Sequence, residues 1–382
     1  MTSNQTIPTP IRKNRYLALD ILRGLTIALM ILVNTPGSWE TIYSPFKHSE
    51  WNGFTITDLV FPSFLFVVGN AMSFSMRKFQ ELPDKIFLKK VFSRSFKIFI
   101  IGLLLNAFPF FYHTEDGLGL LNFQEIRIMG VLQRIAICFL LGSLIVHYFN
   151  LKKSVIISIL ILAGYWWIMW YFGNAGDPYS LDDNTALKFD RLLIPDANLW
   201  RGFGIPFDPE GLLSTLPAIV NVIAGYAAGV FIQKSGNTMA TVWKLALSGL
   251  ILVVIAKFWD VYFPINKPIW TSSYVLYSTG WTSVLLSILI LVVEIFHYKK
   301  WSYPFEAFGK NPLFIYVMSG VVISLLGVIW VDGDNLNSII YENAFLSWLT
   351  PLNASLLFAV TYTFLMWLIG YWMDKHKIYI KV

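Results

Sequence analysis

Residues 47 to 69 read KHSEWNGFTITDLVFPSFLFVVG, so a histidine, His48, stands ten positions before an aspartate, Asp58, at the start of an apolar run. Histidine has a free pKa of about 6.5, which suits proton removal near neutrality. A positioned general base contributes roughly 10² to 10⁴ in rate. A carboxylate within reach would fix the imidazole tautomer and orient the ring. A histidine alone in a loop is more often simply solvated, so the pair carries the interest. Asn34 closes the preceding apolar run, just before Thr35, Pro36 and Gly37. It is either a helix-ending turn residue or an amide donor to a developing oxyanion, the property that acyl transfer demands.

The elements that must position these groups are membrane helices. Of the 382 residues, 56% are apolar and only 14% charged, and mean hydropathy is +0.59, whereas soluble domains carry about 25% charged residues. Ten runs approach the length of about 20 residues that crosses the hydrocarbon core as a helix: 17–34, 55–76, 95–112, 128–149, 154–172, 211–233, 244–263, 273–297, 311–331 and 352–373. The expected fold is therefore all-α and polytopic, with residues 1–382 forming a single transmembrane domain.

Lysine and arginine accumulate in cytoplasmic loops. Twenty of the 29 basic residues fall in loops of one parity, six in the other and three (Arg23, Arg134, Lys257) inside spans. This split predicts cytoplasmic termini and puts His48 outside. It also explains the net charge of +6 without nucleic acid, through basic loops facing an anionic leaflet. The long segment 173–210 then lies outside, either as a lid or as a plain surface connection. Asp20 and Arg23 interrupt the first run, which reads as a retained span rather than a cleaved leader. Cys138 is the single cysteine, so no internal disulfide forms.

No H-E-x-x-H spacing, P-loop, dinucleotide fingerprint or G-x-S-x-G elbow occurs, which argues against a metal site, ATP-driven transport, redox work and soluble-type serine hydrolysis. Charges inside spans are costly and need a purpose. Asp20 and Arg23, three apart on one helical face, form an internal ion pair, or Arg23 faces an anionic ligand arriving from the cytoplasm. Ten apolar helices with buried charges also describe a secondary transporter.

Six segments in order together resemble the heparan-α-glucosaminide N-acetyltransferase family of transmembrane acyltransferases. They are RYLALDILRGLTIALMILVN at 15–34, FKHSEWNGFTITDLVFPSFLFVVG at 46–69, IRIMGVLQRIA at 126–136, FDPEGLLSTLPAIV at 207–220, PINKPIWTSSYVL at 264–276 and the terminal WMDKHKIYIKV. The resemblance implies acetylation across a membrane, from cytoplasmic acetyl-CoA to a glucosamine amine on the opposite side. It places the catalytic histidine on His48, as general base or acetyl carrier, with Asn34 and Asp58 beside it.

Coenzyme A would need cations and aromatic surface at the cytoplasmic face, and topology offers Arg23, Arg77, Lys78 and Arg94. Arg134 resembles part of a family motif and supports the central pocket, or else pairs with Asp58 or Glu125. For the sugar, the candidates are Asp208, Glu210, Asn266, Lys267 and Trp270; helix capping by Asp208 and interfacial anchoring by Trp270 are the plain alternatives. The resemblance further suggests a homodimer. It also points to a bacterial inner membrane, since the luminal region and extra helix that precede the first span in the lysosomal enzymes have no counterpart here. Ser319 stands where heparan-acting members carry a histidine, which puts the acceptor's identity in question more than the reaction.

Overall fold

The computed structural model describes residues 16–79, 83–114, 117–331 and 333–380. Thirteen α-helices are found among them: α1 Leu17–Asn34, α2 Ile56–Phe79, α3 Asp84–Ala107, α4 Val131–Tyr148, α5 Leu151–Phe172, α6 Thr185–Leu193, α7 Leu212–Ser235, α8 Met239–Asp260, α9 Ser272–Leu289, α10 Tyr303–Lys310, α11 Pro312–Val328, α12 Leu336–Tyr341 and α13 Pro351–Lys375. Two small antiparallel hairpins, Phe111–Thr114 with Gly117–Leu120 and Trp330–Val331 with Asp334–Asn335, accompany them, with short 3₁₀ and π-helical segments between helices. The protein is an all-α polytopic membrane protein.

Among the described residues, eight helices are long and apolar enough to cross a membrane, and α10 with α11 make a ninth if their 87° bend counts as one broken span. The third apolar run starts as a helix eleven residues earlier than its hydropathy suggests, at Asp84. Lys85, Lys89, Lys90 and Arg94 occupy its first half and Lys97 lies just beyond, so a helix continuous in space looks half as long in hydropathy. The run at 311–331 begins where the chain turns at Asn311, and α10 precedes it at a steep angle.

Helix starts follow local chemistry. The side chains of Asn150, Asn184, Thr238 and Thr271 each accept a backbone N–H of the first turn of α5, α6, α8 and α9, supplying a partner to donors that the helix itself leaves unpaired. Asp190 of α6 does the same for α7, accepting from the amides of Leu212 at 3.0 Å and Leu213 at 3.1 Å.

The core is the cluster α1, α2, α4, α7 and α9; two-thirds of α2 and α7 is buried, against 22% of α5. In lipid, helices associate through close packing rather than water exclusion, so small residues mark the tightest seams. Gly69 of α2 lies against the Val222 carbonyl and Gly225 of α7 against the Phe66 carbonyl, with no room for a Cβ at either. The same device brings Gly24 of α1 onto the Phe305 carbonyl. This α2–α7 seam fixes where Asp58, at the head of α2, stands. Replacing Gly225→Leu should therefore separate the two helices and cost about 3 kcal/mol or more, read as a lowered melting temperature and loss of the monodisperse peak in detergent; an unchanged melting curve would refute the seam.

Candidate active site

Asp58 stands in the first turn of α2 with 1% of its side chain exposed. Its Oδ2 accepts from the Thr55 amide at 3.0 Å, the Thr55 hydroxyl at 3.1 Å and the Ser49 amide at 3.2 Å. Its Oδ1 lies 2.6 Å from His48 Nδ1. The backbone carbonyl of Asp58 accepts the Tyr274 hydroxyl at 2.7 Å, tying α2 to α9. An ionised carboxylate only accepts, so the proton is assigned to Nδ1 and the Nε2 lone pair is left for chemistry.

His48 belongs to the loop between α1 and α2. A second loop, between α8 and α9, is stapled to it: the Gly53 amide donates to the Ile265 carbonyl at 2.8 Å and Asn266 Nδ2 donates to Asn52 Oδ1 at 3.1 Å. That staple brings Lys267 Nζ to 3.1 Å from both ring nitrogens of His48 and 3.9 Å from Asp58 Oδ1. Protein surrounds the ring although 44% of its side-chain surface still faces open space. Its pKa falls below 6.5 chiefly through desolvation, then through the Lys267 charge, with the Asp58 hydrogen bond and charge opposing. Lys267 is itself lowered by burial, against the pull of Asp58 and Glu210.

These groups line a cavity of about 430 Å³ that also takes in Asn34, Trp39, Arg127, Trp200, Phe203, Glu210 and Tyr316. Behind it, toward the other end of the bundle, a cavity of about 440 Å³ is lined by Arg23, Arg94, Lys310, Phe64, Ile135, Phe139 and Leu313. Helices α1, α2, α4 and α11 line both, and on the last three the facing residues are a single turn apart. On α2 Phe61 faces the first and Phe64 the second; on α4 the pair is Val131 and Ile135; on α11 it is Tyr316 and Leu313. Such steps are single helical turns, so the septum is roughly 5 Å thick. A groove of about 800 Å³ adjoins the second cavity through Ser75, Arg94 and Phe139 and adds Lys85, Lys89, Lys90 and Lys97.

The candidates from sequence separate cleanly. His48, Asn34, Asp58, Glu210 and Lys267 meet in the first cavity, and Arg23 and Arg94 in the second. Arg23 is also bonded to Asp20 at 3.2 Å and to the Gly309 carbonyl at 3.3 Å. The side chains of Arg77 and Lys78 lie outside the described residues. Asn266 is buried and spends its amide on the loop, its Oδ1 accepting from the Ile269 amide at 3.0 Å.

Trp270 is fully buried, donating to Asn221 Oδ1 at 3.1 Å beneath the guanidinium of Arg134, so its ring has no face toward a sugar. Arg134 pairs with neither Asp58 nor Glu125; completely buried, it donates to the Gly211 carbonyl and the Ser214 hydroxyl and lines neither cavity. It braces the segment that carries Asp208 and Glu210.

Arg127 is the residue that the sequence reading passed over. Its guanidinium grips Asp208 with two bonds, 2.8 Å from Nε and 2.6 Å from Nη2, and Glu210 with a third at 2.6 Å. Burial alone would lower its pKa, but the hydrogen bonds and charges of the two carboxylates outweigh that and raise it. Asp208 is thus a buried structural partner, while Glu210 reaches the cavity wall. The signal was available: one isolated cation just before α4 and two acids just before α7, at the same end of the bundle.

The segment 173–210 packs over this end, with Tyr179 accepting the Trp51 indole N–H at 2.9 Å and Phe203 and Phe207 edge-on to Trp51. No cluster of three or more metal-ligating side chains occurs among the described residues.

The helical membrane protein thus holds a carboxylate-oriented imidazole in a cavity at one end and a cationic cavity directly behind it. Residues 15–258 match the family model described as heparan-alpha-glucosaminide N-acetyltransferase, catalytic; the chain belongs to that family. Similar curated proteins are the heparan-alpha-glucosaminide N-acetyltransferases of Mus musculus, 29% identical over 375 residues, and Homo sapiens, 27% identical over 376. Each match covers 84% of this chain but 56% and 55% of the relative, so the chain spans little over half their length.

Removing one member of the Arg127 cluster leaves buried charge without compensation, which costs 3 to 5 kcal/mol in fully buried pairs. With Arg127 25% exposed, Arg127→Met should cost about 3 kcal/mol, read as a lowered melting temperature, and adding Asp208→Asn with Glu210→Gln should recover part of it. No change in either variant would remove the cluster from the site's scaffold.

Proposed function

We propose that this protein transfers the acetyl group of acetyl-CoA to the amine of a glucosamine-type sugar, the acceptor in the His48 cavity and the donor in the Arg94 cavity. The observation that carries this reading is the back-to-back placement of the two cavities, with His48 on one side of a one-turn septum and cations on the other. Family membership supports the reaction class.

Dimensions agree. Arg23 and Asn34 line the two cavities from the same helix, eleven residues apart, or about 16 Å of helix. The pantetheine arm spans about twelve bonds from phosphate to sulfur, or roughly 14 Å at the extension of a polypeptide. Phosphates near Arg23, Arg94 and the lysine groove would therefore let the thioester reach the septum. The groove's cations suit the nucleotide end, with Phe79 and Phe139 offering aromatic surface.

In the acetyl transfer, the acceptor nitrogen attacks the thioester carbon and a C–N bond forms while the carbonyl π pair moves onto oxygen. The intermediate collapses, the C–S bond breaks and the coenzyme leaves as thiolate. His48 Nε2 takes the proton released by the amine, then delivers it to the thiolate; acetyl transfer by way of Nε2 uses the same free lone pair. Asp58 holds the ring, and Trp39, Trp200 and Phe203 furnish aromatic surface for a sugar. The basic-loop asymmetry supports an Arg94 cavity open to the cytoplasm, and the setting we propose is a bacterial inner membrane.

Thiol release from acetyl-CoA by the purified protein tests the reading. It should depend on glucosamine and fall about 10²- to 10⁴-fold in His48→Ala. Because His48 is held below 6.5, the neutral base persists into mildly acidic solution; the rate should rise with pH on a limb whose midpoint lies below 6.5. An undiminished His48→Ala enzyme, or movement of labelled sugar without acetyl-CoA and without chemical change, would contradict it.

A further inference from the structure

Lys267 occupies an unusual place for a buried cation. Its side chain is 15% exposed, yet the nearest carboxylate oxygen, Asp58 Oδ1, is 3.9 Å away while both imidazole nitrogens of His48 are at 3.1 Å. With Nδ1 committed to Asp58, the neutral ring can accept only at Nε2, and the ammonium, equidistant from both nitrogens, stands over the ring beside the atom that the reaction uses. An ammonium has three donors, and the cavity is where the remaining ones can be used.

A cation in this position is ill suited to bind the acceptor as an ammonium ion, which it would repel. It favours the neutral amine, the only form that can attack. It is well suited to negative charge appearing beside Nε2, and the atom that gains such charge is the thioester oxygen, two bonds from the attacking nitrogen.

We propose, resting on the acetyl-transfer reading, that Lys267 is the oxyanion-stabilising residue of this site: its ammonium turns from His48 Nε2 to the carbonyl oxygen as the C–N bond forms. Charge is then met directly by charge, the arrangement that stabilises a developing oxyanion. The stapled loop explains how the position is held, since the Asn266–Asn52 and Gly53–Ile265 bonds tie the residues just before Lys267 to the segment just after His48. The charged groups facing His48 are Asp58 from α2, Lys267 from the loop before α9 and Glu210 from the loop before α7; Arg127 and Tyr316 share the cavity, and Arg134 acts on Lys267 from α4.

The test compares Lys267→Met, Lys267→Gln and Lys267→Arg with the parent, reading kcat, KM for glucosamine and the ring titration of His48 by NMR, assigned by difference from His48→Ala. The neutral variants should lose about 10² to 10³ in kcat while KM changes less than about three-fold, the pattern of an interaction made only in the transition state. The His48 midpoint should move up once the neighbouring charge is gone, and Lys267→Arg should restore much of the rate. A raised KM with intact kcat would make Lys267 a sugar-binding residue and overturn the proposal. So would an unmoved His48 midpoint in two folded neutral variants, and that titration decides the matter even if the parent releases no thiol with any amino sugar, a result that would count against the acetyl-transfer reading itself.

Discussion

A carboxylate withdrawn from water at the head of a membrane helix must be satisfied on every side, and the arrangement around Asp58 follows from that demand. Thr55 and Ser49 supply three donors, His48 the fourth, and Tyr274 fixes the backbone from α9. The loop has little freedom left, so His48 is aimed by the desolvation of its partner. The same bond sets the tautomer and opens Nε2 toward the cavity. An imidazole held this way loses little motion when a substrate arrives, which is how preorganised groups lower a barrier.

That carboxylate stands where it does because α2 and α7 meet backbone to backbone at Gly69 and Gly225. α7 begins at the segment carrying Asp208 and Glu210, and its first turn is held by Asp190 and Arg134. The site is consequently built from helix ends joined by short loops, while the helix bodies α1, α2, α4 and α11 form the walls of both cavities. Placing ionic residues at the ends and apolar ones at the septum keeps the cost of charge low at mid-membrane. It also leaves a thin apolar partition that a neutral acetyl thioester can approach more readily than its phosphates can.

Much of this was legible in the chain. Spans appeared because lipid demands about 20 apolar residues in a row, and the first coincides with α1 to the residue. His48 and Asp58 were readable because a base and a carboxylate at a helix mouth lie close in sequence. What stayed hidden depended on contacts between distant segments. Arg127 and the 208–210 acids are some eighty residues apart, and nothing local says that they touch. Trp270 read as a sugar-stacking or interfacial aromatic because topology puts its segment at a membrane face, yet the turn folds it inward onto Arg134. Lys267 read as a sugar ligand; only the staple between two loops reveals its place over the imidazole. The third span ran into a different difficulty, since its cations obscured the first half of a continuous helix.

The central claim is that donor and acceptor approach from opposite membrane faces and meet at the septum beside His48. It is tested most directly in proteoliposomes of uniform orientation, with acetyl-CoA confined to the compartment facing Arg94 and labelled glucosamine to the compartment facing His48. N-acetylated sugar should accumulate on the His48 side while free thiol accumulates on the other. Product formed only when both substrates share one compartment would contradict the two-cavity path.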